Sequence, residues 1–151
     1  MIYTVGYQNI TIEQLEQIME EKDIGLLIDV RSIPYSRNPG KREFNKNRLR
    51  DVLGDLKYVW WGDICGGKRG PVIPTCIESL KLYAMPGEEN ILLLCLEGDP
   101  RECHRYYDIS IRLLEHDIDA VHIFNGSEMK TSEIKGGSHE ILNRDRSKKT
   151  L

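Results

Sequence analysis

Short apolar runs alternate with helical periodicities along most of the chain. Ile2-Tyr3-Thr4-Val5 reads as a first strand, ended by Gly6. Thr11 and Gln14 then form a capping-box pattern, and behind them Ile12, Leu15, Ile18 and Met19 recur at helical spacing. Leu26-Leu27-Ile28-Asp29-Val30 is apolar except for its aspartate, which suits a strand covered on both faces. A second helical pattern runs from Lys46 to Leu53, and Lys57-Tyr58-Val59-Trp60-Trp61 is a third strand. Gly66-Gly67-Lys68-Arg69-Gly70-Pro71 is a loop, and a short helix covers Ile77 to Ala84 before Pro86-Gly87 stops it. Ile91-Leu92-Leu93-Leu94-Cys95 is the most strand-like run. A long helix from Pro100 to about Glu115 follows it, and Ala120-Val121-His122-Ile123-Phe124 closes the set. No internal repeat is visible.

Five strands alternating with helices predict an α/β fold: a mostly parallel five-stranded sheet with helices on both faces, a Rossmann-like layer architecture. Residues 1–124 are expected to make one domain, and residues 125–151 a polar, partly ordered C-terminal tail. In such sheets ligands bind outside the carboxyl ends of the strands. That rule singles out Gly6-Tyr7, Asp29-Val30-Arg31, the loop after Trp61, and Cys95 onward.

The last of these carries the most chemistry. Asp99 is an N-cap acceptor and Pro100 suits the first helical position, so a helix is expected to start there. At 100° per residue Arg101, His104, Arg105, Asp108 and Arg112 share one face, and Cys103, Tyr106, Tyr107, Ser110, Leu113 and Leu114 the other. Cys103 is then expected on the packing side as a small buried residue. Cations in the first turn oppose the helix macrodipole, and an anion held by free N–H groups and guanidinium forks would account for them. A solvated face paired to Glu97, Asp99 or Asp108 is the alternative. Cys95 and Arg101, five residues apart in between, also have the strand–loop–helix form of a cysteine phosphatase or sulfurtransferase loop. Glu97 and Asp99 argue against it by repelling an anion and raising the thiol pKa.

Composition narrows the classes. The chain has 151 residues and 40% hydrophobic residues, enough for one domain with a real core. Its formal net charge of −3 excludes a protein that coats nucleic acid by charge alone. Residues 31–50 nevertheless carry seven basic side chains against Glu43 alone, a local +6 that leaves −9 for the rest. Tyr35 and Phe44 interleave with those cations and Trp60-Trp61 follow, a pairing that suits nucleobases or single strands. No apolar run approaches a membrane span, and Met1 to Val5 does not read as a signal peptide, so a cytoplasmic location is expected. Cys65, Cys76, Cys95 and Cys103 are then expected to stay reduced. Their spacings of 10, 18 and 7 intervening residues match no common zinc pattern, so neither metal nor cofactor is expected.

Several blocks in order carry a resemblance. They are Thr4-Val5-Gly6-Tyr7, Leu27-Ile28-Asp29-Val30-Arg31, Ser36-Arg37-Asn38-Pro39-Gly40, Phe44-Asn45-Lys46, Gly66-Gly67, Cys95-Leu96-Glu97, Asp99-Pro100 and Cys103-His104-Arg105. With them the chain resembles the family called domain of unknown function 488, over about residues 1–124. The resemblance implies an α/β fold and brings no established reaction. It marks Asp29, Arg31, Arg37, Cys95, Glu97, Cys103, His104 and Arg105 as motif positions. Lys41-Arg42-Glu43 before Phe44 is an insertion relative to the common pattern. The Asp29-Val30-Arg31 turn with a cysteine ending a later strand also faintly resembles rhodanese-like domains.

These readings converge on a pocket for a phosphorylated or nucleotide-like anion at the C-terminal edge of the sheet, with catalysis left open. Arg31, Arg37, Arg101 and Arg105 are the candidate cations, with Asp29 and Tyr7 beside them. Glu97 and His104 are candidates for proton transfer, Cys95 for nucleophilic chemistry, and Cys103 for a structural part in the motif. The expected partner is a small anionic ligand, with a nucleic-acid-binding module or cysteine-based sulfur or phosphoryl transfer as alternatives. Oligomeric state is not readable.

Overall fold

A computed structural model of the chain describes residues 1–138. Its six strands are β1 (Ile2–Gly6), β2 (Ile24–Asp29), β3 (Tyr58–Trp60), β4 (Asn90–Cys95), β5 (Val121–Phe124) and β6 (Ser127–Lys130), in the order β3-β2-β4-β1-β5-β6. The first five pair in parallel, and β6 runs antiparallel to β5. The mostly parallel α/β sheet expected from the sequence is therefore present, with one strand more than the five predicted.

The extra strand comes from the stretch read as a tail. Phe124 and Ser127 face each other across a two-residue turn in which Asn125 (φ 50°) and Gly126 (φ 75°) are both left-handed. Asn-Gly is the residue pair best suited to that turn. Beyond it Met129 and Ile134 pack with Phe124 and Tyr106. The remainder of the predicted tail, residues 139–151, lies outside the described residues.

Helices cover both faces. α1 (Ile12–Glu21) opens with the Thr11–Gln14 capping box and buries Leu15 and Met19. With Leu49 of α2 (Lys46–Leu53) they cover Leu27, Leu92, Leu94 and Val5. The opposite face, from Ile2, Ile28, Ile91 and Leu93, is covered by α3 (Gly62–Cys65), α4 (Pro74–Leu82) and the segment ending in α5 (Ile111–Leu114). A final turn, α6 (Thr131–Glu133), follows β6. None of the described helices is long and apolar enough to cross a membrane.

Two expectations need correction. The first is the long helix after Pro100. Asp99 does cap it, accepting from the Arg101 amide at 3.0 Å. But Pro100–Glu102 is a single 3-10 turn, Cys103 is extended (φ −125°, ψ 142°), and Arg105–Ser110 is a π-helix before α5 begins. A 100° periodicity does not survive an extended residue and a wider turn. Arg105 is 0% exposed and His104 is buried, while Tyr107, placed on the packing side, is 59% exposed. Cys103, Ser110 and Leu113 keep their expected buried positions.

The second is the thiols. Cys65, at the end of α3, and Cys76, in the first turn of α4, form a disulfide with Cα atoms 5.2 Å apart. Pro74 starts α4 against the end of α3, so the turn between them presents the two side chains to each other. Only Cys95 and Cys103 are free. Closing a loop of this size stabilises the folded chain by about 3 kcal/mol, chiefly through the unfolded state. Reduction is accordingly expected to lower the urea midpoint by that equivalent, and Cys76→Ser to remove the difference between reduced and oxidised samples.

Candidate functional site

The strand order fixes where a crevice opens. After β2 the chain turns toward β3 on one side, and after β4 it crosses to β5 on the other. The ends of these neighbouring strands are thus a topological switch point, where the outgoing loops diverge. A cavity of about 790 Å³ lies there. The segment after β2 lines it with Arg31, Ser32, Tyr35 and Arg37, and the segment after β4 with Cys95, Glu97, Glu102 and His104. Tyr7, from the end of β1, and Lys68 complete the walls.

Arg31 is 5% exposed and held as a charged group by Asp29. Its Nε donates to Asp29 Oδ1 at 2.8 Å and its NH2 to Oδ2 at 2.7 Å. The same carboxylate accepts from the Arg31 amide and from the Tyr58 hydroxyl at 2.6 Å. Burial alone would favour neutral Arg31, but these contacts outweigh it and its pKa is raised. NH2 also donates to Phe44 O, and the Tyr7 ring lies 5.0 Å from the guanidinium carbon. NH1 is buried with no hydrogen-bond partner among the described residues.

Arg105 is placed differently. Its NH1 donates to Glu97 O at 2.7 Å, its NH2 to Gly98 O at 3.2 Å, and its Nε to Thr4 Oγ1 at 3.1 Å. It sits under the loop after β4 and does not line the cavity. The two guanidinium groups expected to face one anion are thus divided, Arg31 against the cavity and Arg105 beneath the loop. Arg101 is occupied by Asp99, with Nε–Oδ1 at 3.2 Å and NH2–Oδ2 at 2.9 Å. Two of the loop amides are occupied as well, Gly98 N donating to Gln8 Oε1 and Arg101 N to Asp99.

At the cavity floor the loop brings Cys95, Cys103 and His104 together, their sulfur and nitrogen atoms all within 4.8 Å of one another. His104 Nδ1 is 3.7 Å from each sulfur. Its Nε2 is 2.7 Å from Cys65 O and 3.1 Å from Val30 O, and since carbonyls only accept, Nε2 carries the hydrogen. Nδ1 therefore faces the sulfurs, presenting a lone pair in the neutral imidazole and an N–H when Cys103 holds the ring protonated. Gly67 allows this approach, because a Cβ there would meet the His104 ring at 2.8 Å. Cys103 acts as acceptor of the pair: burial pushes its thiol up, but hydrogen bonds from Cys95 and His104 and the Arg105 charge bring its pKa down. Cys95, hydrogen-bonded to Cys103 and buried, is pushed up. Burial and the neighbouring Cys103 also raise Glu97, whose Oε2 is 3.7 Å from Cys95 Sγ.

A buried relay that the sequence did not announce supports this floor. Thr131 Oγ1 donates to Ala120 O, so it accepts from His122 Nε2; Thr4 then donates to His122 Nδ1 at 2.7 Å while accepting from Arg105. His122 in the middle of β5 was readable only as a strand residue. Of the basic stretch, Arg37, Arg42, Arg48 and Arg50 are exposed, Lys41 donates to Ile10 O, and Lys46 lies 4.9 Å over the Trp60 ring. Trp60 and Trp61 are half-buried.

Residues 11–71 match the model of the family described as Domain of unknown function DUF488. The resemblance to that family is thereby established for the stretch from α1 to the loop at Gly70, which includes Asp29, Arg31 and Arg37 but not the motif from Cys95 to Arg105. No curated protein and no solved structure shows a significant match to the chain.

The relay has a pH signature. Burial, with the Arg105 charge, pushes the His122 pKa from 6.5 down to about 3. The folded state keeps His122 neutral, while the unfolded chain binds a proton below pH 6.5. The stability from this group is complete above that pH and is lost as pH falls toward 3, at up to about 1.4 kcal/mol per pH unit. His122→Gln is expected to reduce the acid slope of unfolding free energy, measured by urea titration between pH 6.5 and 4, by close to one proton.

Proposed function

We propose that the crevice binds a small phosphorylated, nucleotide-like anion. One observation carries the reading: Arg31 lines the cavity, and its buried NH1 has no hydrogen-bond partner among the described residues, although the rest of the guanidinium is fully engaged. A buried unpaired donor costs about 1–3 kcal/mol, and more when charged, a penalty that a ligand oxygen would remove. Arg37 and Lys68 line the same cavity as further cations, and the exposed rings of Tyr35 and Tyr107 give a base flat surfaces to lie on. Asp29 orients Arg31 in this reading, and Arg105 and Arg101 shape the loop instead of touching the ligand. Catalysis by Cys95, Glu97 or His104 is not needed for it.

The experiment is calorimetric titration of the full chain with nucleoside mono- and diphosphates and with inorganic phosphate. Saturable binding is expected. Arg37→Ala should weaken it about tenfold, as loss of one charge-assisted contact implies. Arg31→Lys, which keeps a charge for Asp29 but removes the fork, should weaken it at least as much. Absence of saturable binding, or an affinity in both variants unchanged from that of the native chain, would overturn the reading.

A further inference from the structure

The floor of the cavity offers a donor set that anion binding does not use. We propose that Cys95 Sγ, Cys103 Sγ and His104 Nδ1 form a site for a thiophilic divalent cation, Zn²⁺ foremost, with its fourth position open to the cavity.

The distances suit the ion. With bonds of about 2.3 Å to sulfur and 2.0–2.1 Å to nitrogen, tetrahedral zinc sets sulfur and nitrogen about 3.6 Å apart. Both sulfurs stand 3.7 Å from His104 Nδ1. The third edge, sulfur to sulfur, is at most 4.8 Å, against the about 3.8 Å that tetrahedral zinc sets, so the sulfurs close by no more than about 1 Å. Both cysteines are free and buried, so neither competes for a disulfide with Cys65 or Cys76.

The second observation is independent of those spacings. A metal-bound imidazole almost always donates its other N–H to a carbonyl or carboxylate, which fixes its tautomer and aims its lone pair. His104 already has that arrangement, with Nε2–H held between Cys65 O and Val30 O and Nδ1 turned to the sulfurs.

Two thiolates and one imidazole are soft enough to select zinc over magnesium or calcium, which take oxygen donors. Three protein ligands with a fourth place left open is the pattern of zinc sites that bind exchangeable ligands. Cys95, Glu97 and His104 all line the cavity, so the open position faces it, with the Glu97 carboxylate alongside. Binding releases the thiol protons to solvent, and no redox change accompanies it. The site does not require an anion in the crevice.

The test is anaerobic titration of the full chain with Co²⁺ at neutral pH. No reductant is added, so Cys65 and Cys76 stay paired. One equivalent is expected to give a near-ultraviolet sulfur-to-cobalt charge-transfer band of two-thiolate intensity, with tetrahedral visible bands, and stoichiometric Zn²⁺ should abolish both. Cys103→Ser should halve the charge-transfer intensity. His104→Ala should weaken Zn²⁺ binding, read by competition with a chromophoric chelator, by more than the about 10–100-fold lost with outer-shell partners. The wild-type spectrum decides the matter if a variant fails to fold. Absence of the charge-transfer band at one equivalent, or metal binding unchanged in both variants, would overturn the proposal.

Discussion

The arrangement of the site depends on one buried guanidinium. Arg105 is fully enclosed, and moving an unpaired charge into such surroundings costs several kcal/mol. It is tolerated because Glu97 O, Gly98 O and Thr4 Oγ1 all accept from it. Those acceptors lie on the loop after β4 and in the middle of β1, so the group that needs them ties loop to sheet. The tie is close: a Cβ on Gly6 would meet Glu97 O at 1.7 Å. Any side chain there would lift the loop off β1 and strand the arginine. Through Thr4 the constraint reaches His122 and Thr131, joining β1, β5 and the start of α6.

A loop pinned this way cannot run smoothly into a helix. Arg105 must reach back under residues 97 and 98, and the chain between makes one 3-10 turn, extends at Cys103, and resumes with wide π turns. The extended residue turns the Cys103 sulfur back toward Cys95, and the next residue brings the imidazole against both. The departure from regular helix and the clustering of sulfur and nitrogen are thus one event. Asp29 plays the corresponding part for β2: it occupies Arg31 on two nitrogens, while the third is buried with no partner among the described residues. Each strand beside the switch point has its own buried arginine, one bracing a loop and the other lining the crevice.

The sheet was legible in the sequence because burial on two faces demands unbroken apolar runs, and Leu26–Val30 and Ile91–Cys95 have no other good use. The capping box at Thr11 and the helix from Lys46 to Leu53 were legible for equally local reasons. What failed was the placement of Arg105, His104 and Tyr107, the residues around the irregularity after Pro100. Placing residues 100–112 on a wheel assumed 100° per residue, so one extended position put Arg105 and Tyr107 on the wrong sides. The hairpin to β6 had a local signal in Asn125-Gly126, obscured by the polar composition around it. The Cys65–Cys76 pair had none, since ten intervening residues say nothing about how a helix end meets a helix start.

The donor cluster explains why spacing rules missed it. Common zinc patterns are short because a single turn or knuckle presents both ligands. Here Cys95 ends a strand, while Cys103 and His104 lie beyond a loop folded back by Arg105, so proximity is created by a tertiary tie and not by the local chain. Adjacent residues of an ordinary helix point about 100° apart and do not converge on one ion. Cys103 and His104 do converge, because the first is extended and only the second is helical. Arg105 therefore belongs to the chemistry of this edge without touching a ligand: removing it would disperse the donors before it changed the charge of the crevice.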